Sequence, residues 1–143
     1  MINNHKIISV VIYIIFLSGN FTQTHAEIVN KYNPFIKKKV VVHVIDPEQV
    51  GNFDGVKNCG KDIKTFRADG CTYSRNNKPY RIEISNDKNF TNLMMNFCDE
   101  NDVVNMFEFF LLHEVGHYLN PRSDEKYADN YACSLIQYRA TLL

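Results

Sequence analysis

The 143-residue chain has no pair of cysteines at CxxC spacing, no cluster of lysine and arginine, no internal repeat, and no apolar run long enough to cross a bilayer comfortably. Each absence excludes something. Without CxxC, a zinc site built from cysteine thiolates is not expected. Sixteen Lys and Arg balance sixteen Asp and Glu, so there is no electrostatic footprint for nucleic acid. The one short basic run, Lys37–Lys39, precedes an apolar segment and fits a solvated strand edge better than a binding patch. With neither repeats nor low-complexity tracts, the chain is expected to form one small domain with a modest core.

The apolar run that does exist is Ile7–Leu17. It is shorter than the roughly 20 residues a membrane helix needs. His5 and Lys6 precede it, and a polar stretch from Ser18 ends Thr24-His25-Ala26. This is the order of a secretory signal, with cleavage expected after Ala26. No cysteine follows the run, so a lipid anchor is not indicated. The expected organisation is therefore a signal over residues 1–26 and a single domain over 27–143. The product would be periplasmic or secreted, with no stable membrane association after cleavage. Removing the signal takes Lys6 and no acid, leaving 15 basic residues against 16 acidic ones.

His113-Glu114-Val115-Gly116-His117 is the most informative segment. On a helix, residues i and i+4 lie one above the other on one face. His113 and His117 are thus spaced to share one Zn²⁺, at about 2.0–2.1 Å from each imidazole. Glu114 flanks that face, where its carboxylate can take a proton from a water activated by the metal. The eight apolar residues among Val103–Leu112 are too dense for one stripe and imply a helix buried nearly all round, with Asn101 or Asp102 as its N-cap. Asn120-Pro121 ends that helix, and Ser123 is the expected cap of the next. Tyr127, Ala128, Tyr131, Ala132, Leu135 and Ile136 give the second helix its periodicity. So short a turn folds the two helices back on each other. Glu125 then falls level with His117 as a third ligand, and Asp129, one turn on, can accept the other ring N–H of a ligand histidine. Asp124 is a rival ligand; Glu125 is favoured because it alone brings Asp129 into register.

The motif HEVGH followed by Glu125, Ala128, Asp129, Tyr131 and Ala132 resembles the pattern of ImmA/IrrE-type peptidases, which are gluzincins, over about residues 107–136. The resemblance implies His113, His117 and Glu125 as metal ligands, Glu114 as general base, and Asp129 as the carboxylate behind a histidine.

Four cysteines, Cys59, Cys71, Cys98 and Cys133, in a small exported domain imply two disulfides, with three possible pairings. Cys59–Cys71 would staple one glycine-containing loop, and is favoured, leaving Cys98–Cys133. Val40–Ile45 is a β-branched run and an expected buried strand. Tyr80–Ser85 alternates and is an expected half-exposed strand, a candidate edge for pairing with extended substrate. Between them Gly51–Pro79 is expected to be loop, with a short strand at Cys71–Ser74. His43 is expected to be a sheet histidine rather than a fourth ligand, since catalysis needs an open position.

These features together imply a small α+β, zincin-like domain that binds one Zn²⁺ and hydrolyses a peptide or related amide. Tyr118, Arg122, Tyr127 and Tyr131 are nearby in sequence, but the sequence identifies none of them as the oxyanion partner. A non-catalytic zinc-containing binding or regulatory module is the alternative, and the intact Glu114 argues against it. A deformylase-like amidase is disfavoured by the lack of that family's glutamine- and cysteine-bearing motifs.

Overall fold

The computed structural model describes residues 12–16, 23–53, 59, 69–89, 93–99 and 102–142. Strand β1 (Ile12–Phe16) is followed by helix α1 (Gln23–Tyr32) and a 3-10 turn (Asn33–Phe35). Strands β2 (Val40–Ile45), β3 (Gly70–Arg75) and β4 (Lys78–Ser85) come next. The chain continues through β5 (Met94–Asp99), β6 (Asp102–Asn105), α2 (Met106–Leu119) and α3 (Glu125–Ala140). The fold is α+β. The main sheet has the order β1-β2-β4-β3, and β5–β6 form a separate hairpin. β1, β2 and β4 run parallel, while β3 is antiparallel to β4. Asn76 and Asn77 both have positive φ, 53° and 63°, which suits the tight turn joining β3 to β4.

The β-branched run of β2 puts Val40, Val42 and Val44 in the main core. Ile82 and Ile84 of β4 join them, with Phe107, Leu111, Leu112 and Val115 of α2. Ile28, Val29 and Tyr32 pack α1 onto the same core. Tyr32 also donates a hydrogen bond from its hydroxyl to the buried Glu108 of α2, and Lys31 pairs with the same carboxylate at 3.3 Å. α2 is buried nearly all round, as its apolar density implies. It begins later than expected, however. Val103 and Val104 belong to β6, and Asn105, not Asn101 or Asp102, caps α2 by accepting from the Glu108 N–H at 3.1 Å. The β-branched pair favours the hairpin, where Val104 pairs with Met95.

β4 is also different from expectation. It is an interior strand, hydrogen-bonded on both sides, so it cannot accept substrate by edge pairing. Its alternation marks a second buried layer rather than solvent. Glu83 is 1 % exposed and Arg81 is 7 % exposed. Glu83 accepts from Gly51 N, Tyr73 Oη and Arg81 Nε at 2.7–2.8 Å. Arg81 lies over the Phe53 ring at 3.7 Å and meets His43 Nε2 at 3.0 Å. Removing one partner of such a buried pair typically costs about 3–5 kcal/mol. Beside this network Ile45, Val50, Cys71 and Tyr73 form a second, smaller core. The edges are β1 and β3, and β3 is longer than the short strand expected there.

Cys59 is bridged to Cys71, and Cys98 to Cys133, so none of the four cysteines is free. Two disulfides fit an oxidising, extracellular environment. Among the described residues no helix is long and apolar enough to cross a membrane. Residues 1–11, and with them the start of the expected signal, lie outside the described residues. The expected cleavage point after Ala26 lies within α1, and His25 is buried against Phe107 with ring centroids 4.5 Å apart.

His43 supplies a pH test of the network. Burial, and next the Arg81 charge, hold its pKa down to about 4, with Glu83 opposing. The unfolded histidine titrates near 6.5. Between those values only the unfolded state takes up the proton. The contribution to stability is therefore full above about pH 6.5 and declines as pH falls toward about 4. Denaturation midpoints of wild type and His43→Gln across this window check the expectation. Glutamine can still accept from Arg81 but cannot titrate, so the variant should lose less stability than wild type.

Candidate metal centre

The site is built where α2 and α3 double back on each other. α2 ends at Leu119, and the Asn120 N–H still reaches Gly116 O at 3.0 Å. After Pro121 and Arg122, the Ser123 N–H returns to Asn120 O at 3.0 Å. Asp124, not Ser123, is the N-cap of α3, its carboxylate accepting from Tyr127 N at 2.8 Å. That role occupies the rival ligand. Glu125, the first residue of α3, is left facing α2.

Gly116 explains how closely the helices approach. A Cβ there would lie 3.2 Å from Tyr131 Cβ and 3.3 Å from Ala128 Cα. Glycine inside a helix costs about 1 kcal/mol relative to alanine. Here it makes room for α3, and Ala128 and Ala132 are the two fully buried residues of that helix.

The geometry that results brings His113, His117 and Glu125 together. The Glu125 carboxylate lies 2.9 Å from His113 Nε2 through one oxygen and 3.0 Å from His117 Nε2 through the other. One ligand atom from each of the three lies within 4.8 Å of the others, so the group could hold a metal ion. Donors around a tetrahedral zinc ion are roughly 3.4 Å apart when its bonds are about 2.1 Å, so this set fits with little adjustment.

The far side of each ring is also held. His113 Nδ1 is 2.8 Å from Asp129 Oδ1, and a carboxylate there can only accept. With Nδ1 donating to Asp129, Nε2 would be left to offer its lone pair to a metal shared with Glu125. Ser123 does the equivalent for His117. Its hydroxyl donates to Asn120 O at 2.7 Å, so it accepts from His117 Nδ1 at 3.2 Å. The Glu125 side chain is 79 % exposed, whereas that of His113 is 9 % exposed, so the centre is walled on one side and open on the other.

Glu114 sits behind this group without joining it. It is 7 % exposed, and its Oε2 is 3.9 Å from His113 Nε2. Its Oε1 accepts from the Thr72 hydroxyl of β3 at 2.7 Å. Gly70 of the same strand makes room for it: a Cβ there would lie 2.9 Å from Glu114 Cγ. Burial pushes the Glu114 carboxyl pKa up, and the Thr72 hydrogen bond opposes that shift. A cleft of about 780 Å³ runs between β3 and the helices, and its lining includes His113, Glu114, His117, Glu125 and Asp129.

Thr72, Gly70 and Ser123 were not singled out by the motif. A signal for Thr72 did exist: it alternates with Cys71 and Tyr73, which face the other core. Tyr118, Arg122, Tyr127 and Tyr131 do not line the cleft. His43 is on the opposite layer of the sheet, paired with Arg81, and is not a ligand.

Comparison of the chain with family models, with curated proteins and with solved structures gives no match.

Single substitutions separate ligand from cap. Metal content of purified protein, measured by elemental analysis, should fall sharply in His113→Ala, His117→Ala and Glu125→Ala. Asp124→Ala should keep the metal and lose only about 0.5–2 kcal/mol of stability, as expected for an N-cap. Full metal retention in Glu125→Ala, with loss in Asp124→Ala, would reverse the assignment.

Proposed function

We propose that the chain is an exported zinc metallopeptidase that hydrolyses peptide or related amide bonds. The observation that carries this is Glu114. It is a buried carboxylate, outside the ligand group, with one oxygen fixed by Thr72 and the other turned toward the ligand histidines. A purely structural metal site has no use for such a residue. His113, His117 and Glu125 would hold the zinc. Bound there, zinc supplies Lewis acidity, polarising the substrate carbonyl and making water easier to deprotonate at neutral pH.

The chain's own residues do the rest. Thr72 holds Glu114 Oε1, leaving Oε2 as the acceptor for the proton of the attacking water. Glu114 then returns that proton to the departing amine, so the carboxylate ends as it began. Burial pushes its pKa up, which makes it a better acceptor for the proton of the attacking water. Asp129 and Ser123 keep the ligand rings from rotating. The edge strand β3, beside the cleft, replaces β4 as the place where extended substrate would pair. The resemblance of residues 107–136 to ImmA/IrrE-type gluzincins assigns the same roles, and the two disulfides support an exported protein.

Glu114→Gln tests this. The amide is nearly isosteric, so the fold and zinc content should be kept. It cannot accept the proton, and cleavage should fall by about 10²–10⁴-fold. Exported proteins and peptidoglycan fragments are suitable substrates, with new N-termini or released amines followed by mass spectrometry. Wild type that cleaves nothing across such a panel, while Glu114→Gln keeps every partner interaction, would point instead to a zinc-containing binding module.

A further inference from the structure

The cleft has a second wall that hydrolysis itself does not require. Phe97 of β5 stacks on Phe109 of α2, with centroids 4.3 Å apart and planes 14° from parallel. Phe110 meets both rings edge-on, at 5.6 Å from Phe97 and 5.5 Å from Phe109. Phe109 and Phe110 lie 6.1 Å and 6.5 Å from the His113 ring. All three line the same cleft as His113, His117 and Glu125. Phe109 is a core residue at 4 % exposure, while Phe97 and Phe110 are only partly buried.

We infer that the cleft takes a substrate carrying a large aromatic side chain next to the bond presented to His113, His117 and Glu125. This rests on the metallopeptidase function proposed above and adds the class of side chain accepted. Phe97 and Phe110, the two rings that are only partly buried, present aromatic surface along the cleft, and aromatic groups favour stacked or edge-on contact with one another. The remaining charged lining sets the complementary exclusion. Besides its histidines, the cleft is lined by Asp69, Glu114, Glu125 and Asp129, with no lysine or arginine among the described residues. Away from the zinc position, the described charged residues that an acidic side chain would meet are Asp69 and Asp129, both of like charge. The aromatic wall is also held in place before anything binds. Cys98, next to Phe97, is bridged to Cys133 of α3, so the hairpin is tied to the helix that carries Glu125. A wall already fixed need not be ordered on binding, which preserves its contribution to affinity.

The test uses binding rather than turnover. Zinc-loaded exported protein is titrated by calorimetry with acetohydroxamate, which has a metal-chelating head and no side chain. The hydroxamates of N-acetyl-phenylalanine, N-acetyl-alanine and N-acetyl-glutamate are titrated in the same way. The phenylalanine compound should bind about 10–100-fold more tightly than the alanine one. The glutamate compound should bind more weakly than alanine. In Phe110→Ala, the phenylalanine-to-alanine ratio should fall toward one in protein that still holds its zinc. Phe97→Leu, which keeps an apolar filler on the hairpin, should lower the ratio in the same direction. Equal binding of the phenylalanine and alanine compounds, with acetohydroxamate also bound, would overturn the inference and leave the metal centre standing. A phenylalanine preference that survives both variants would also overturn it. Failure of every hydroxamate to bind, acetohydroxamate included, would overturn the metallopeptidase proposal and the inference with it.

Discussion

Gly116 and Ala128 meet where α2 crosses α3, and the distance between the two backbones there sets the rest of the site. A single added carbon on Gly116 would press on Ala128 Cα and Tyr131 Cβ at 3.2–3.3 Å. Because the helices cross so closely, the first turn of α3 lies against the last turns of α2. Glu125 then reaches both His113 and His117, and Asp129, one turn further, reaches the back of His113. Glycine is a poor helix former, and its presence within the motif follows from the helix beside it rather than from the metal. The Cys98–Cys133 bridge ties the same helix to the β5–β6 hairpin, closing a stretch that contains all of α2. A disulfide of this kind typically contributes about 2–4 kcal/mol.

The sheet supplies the other side of the cleft, and its two faces have separate tasks. One face, with Val42, Val44, Ile82 and Ile84, seats α2 at a fixed height. The other carries the Arg81–Glu83–Tyr73 network and the small core around Cys71. β3 joins the two. Cys71 and Tyr73 anchor it to the second layer, while Gly70 and Thr72 address Glu114. The position of the carboxylate proposed as general base therefore depends on packing on both sides of the sheet. A change in the buried polar layer would be transmitted to Glu114 through β3.

The helical half of the site was legible in the sequence. His113, His117, Glu125 and Asp129 follow from the i, i+4 spacing and from a break at Asn120-Pro121 that leaves too few residues for anything but a reversal. The cap of α2 was also written there: Asn105 and Glu108 have the spacing of a capping pair, which the apolar residues upstream of it obscured. Val103 and Val104 fit a buried helix by composition, and only pairing with β5 makes them a strand. Tyr80–Ser85 alternates as an exposed strand would, but alternation cannot distinguish solvent from a second buried layer whose charges neutralise each other. Sheet order is set by non-local pairing, so the identity of β3 as an edge, and of Thr72 as the partner of Glu114, was not available from local pattern. α1 lay hidden in a segment whose composition matches the tail of an export signal.

The central claim is that packing of α3 on α2 creates a metal centre from His113, His117 and Glu125. The measurement that bears on it most directly is anomalous X-ray diffraction from crystals of zinc-loaded protein, recorded on both sides of the zinc absorption edge. The account predicts a single strong anomalous peak, bonded to His113 Nε2, His117 Nε2 and a Glu125 carboxylate oxygen at about 2.0–2.2 Å. A peak held by other residues, or the three side chains ordered as described with no peak among them, would contradict it.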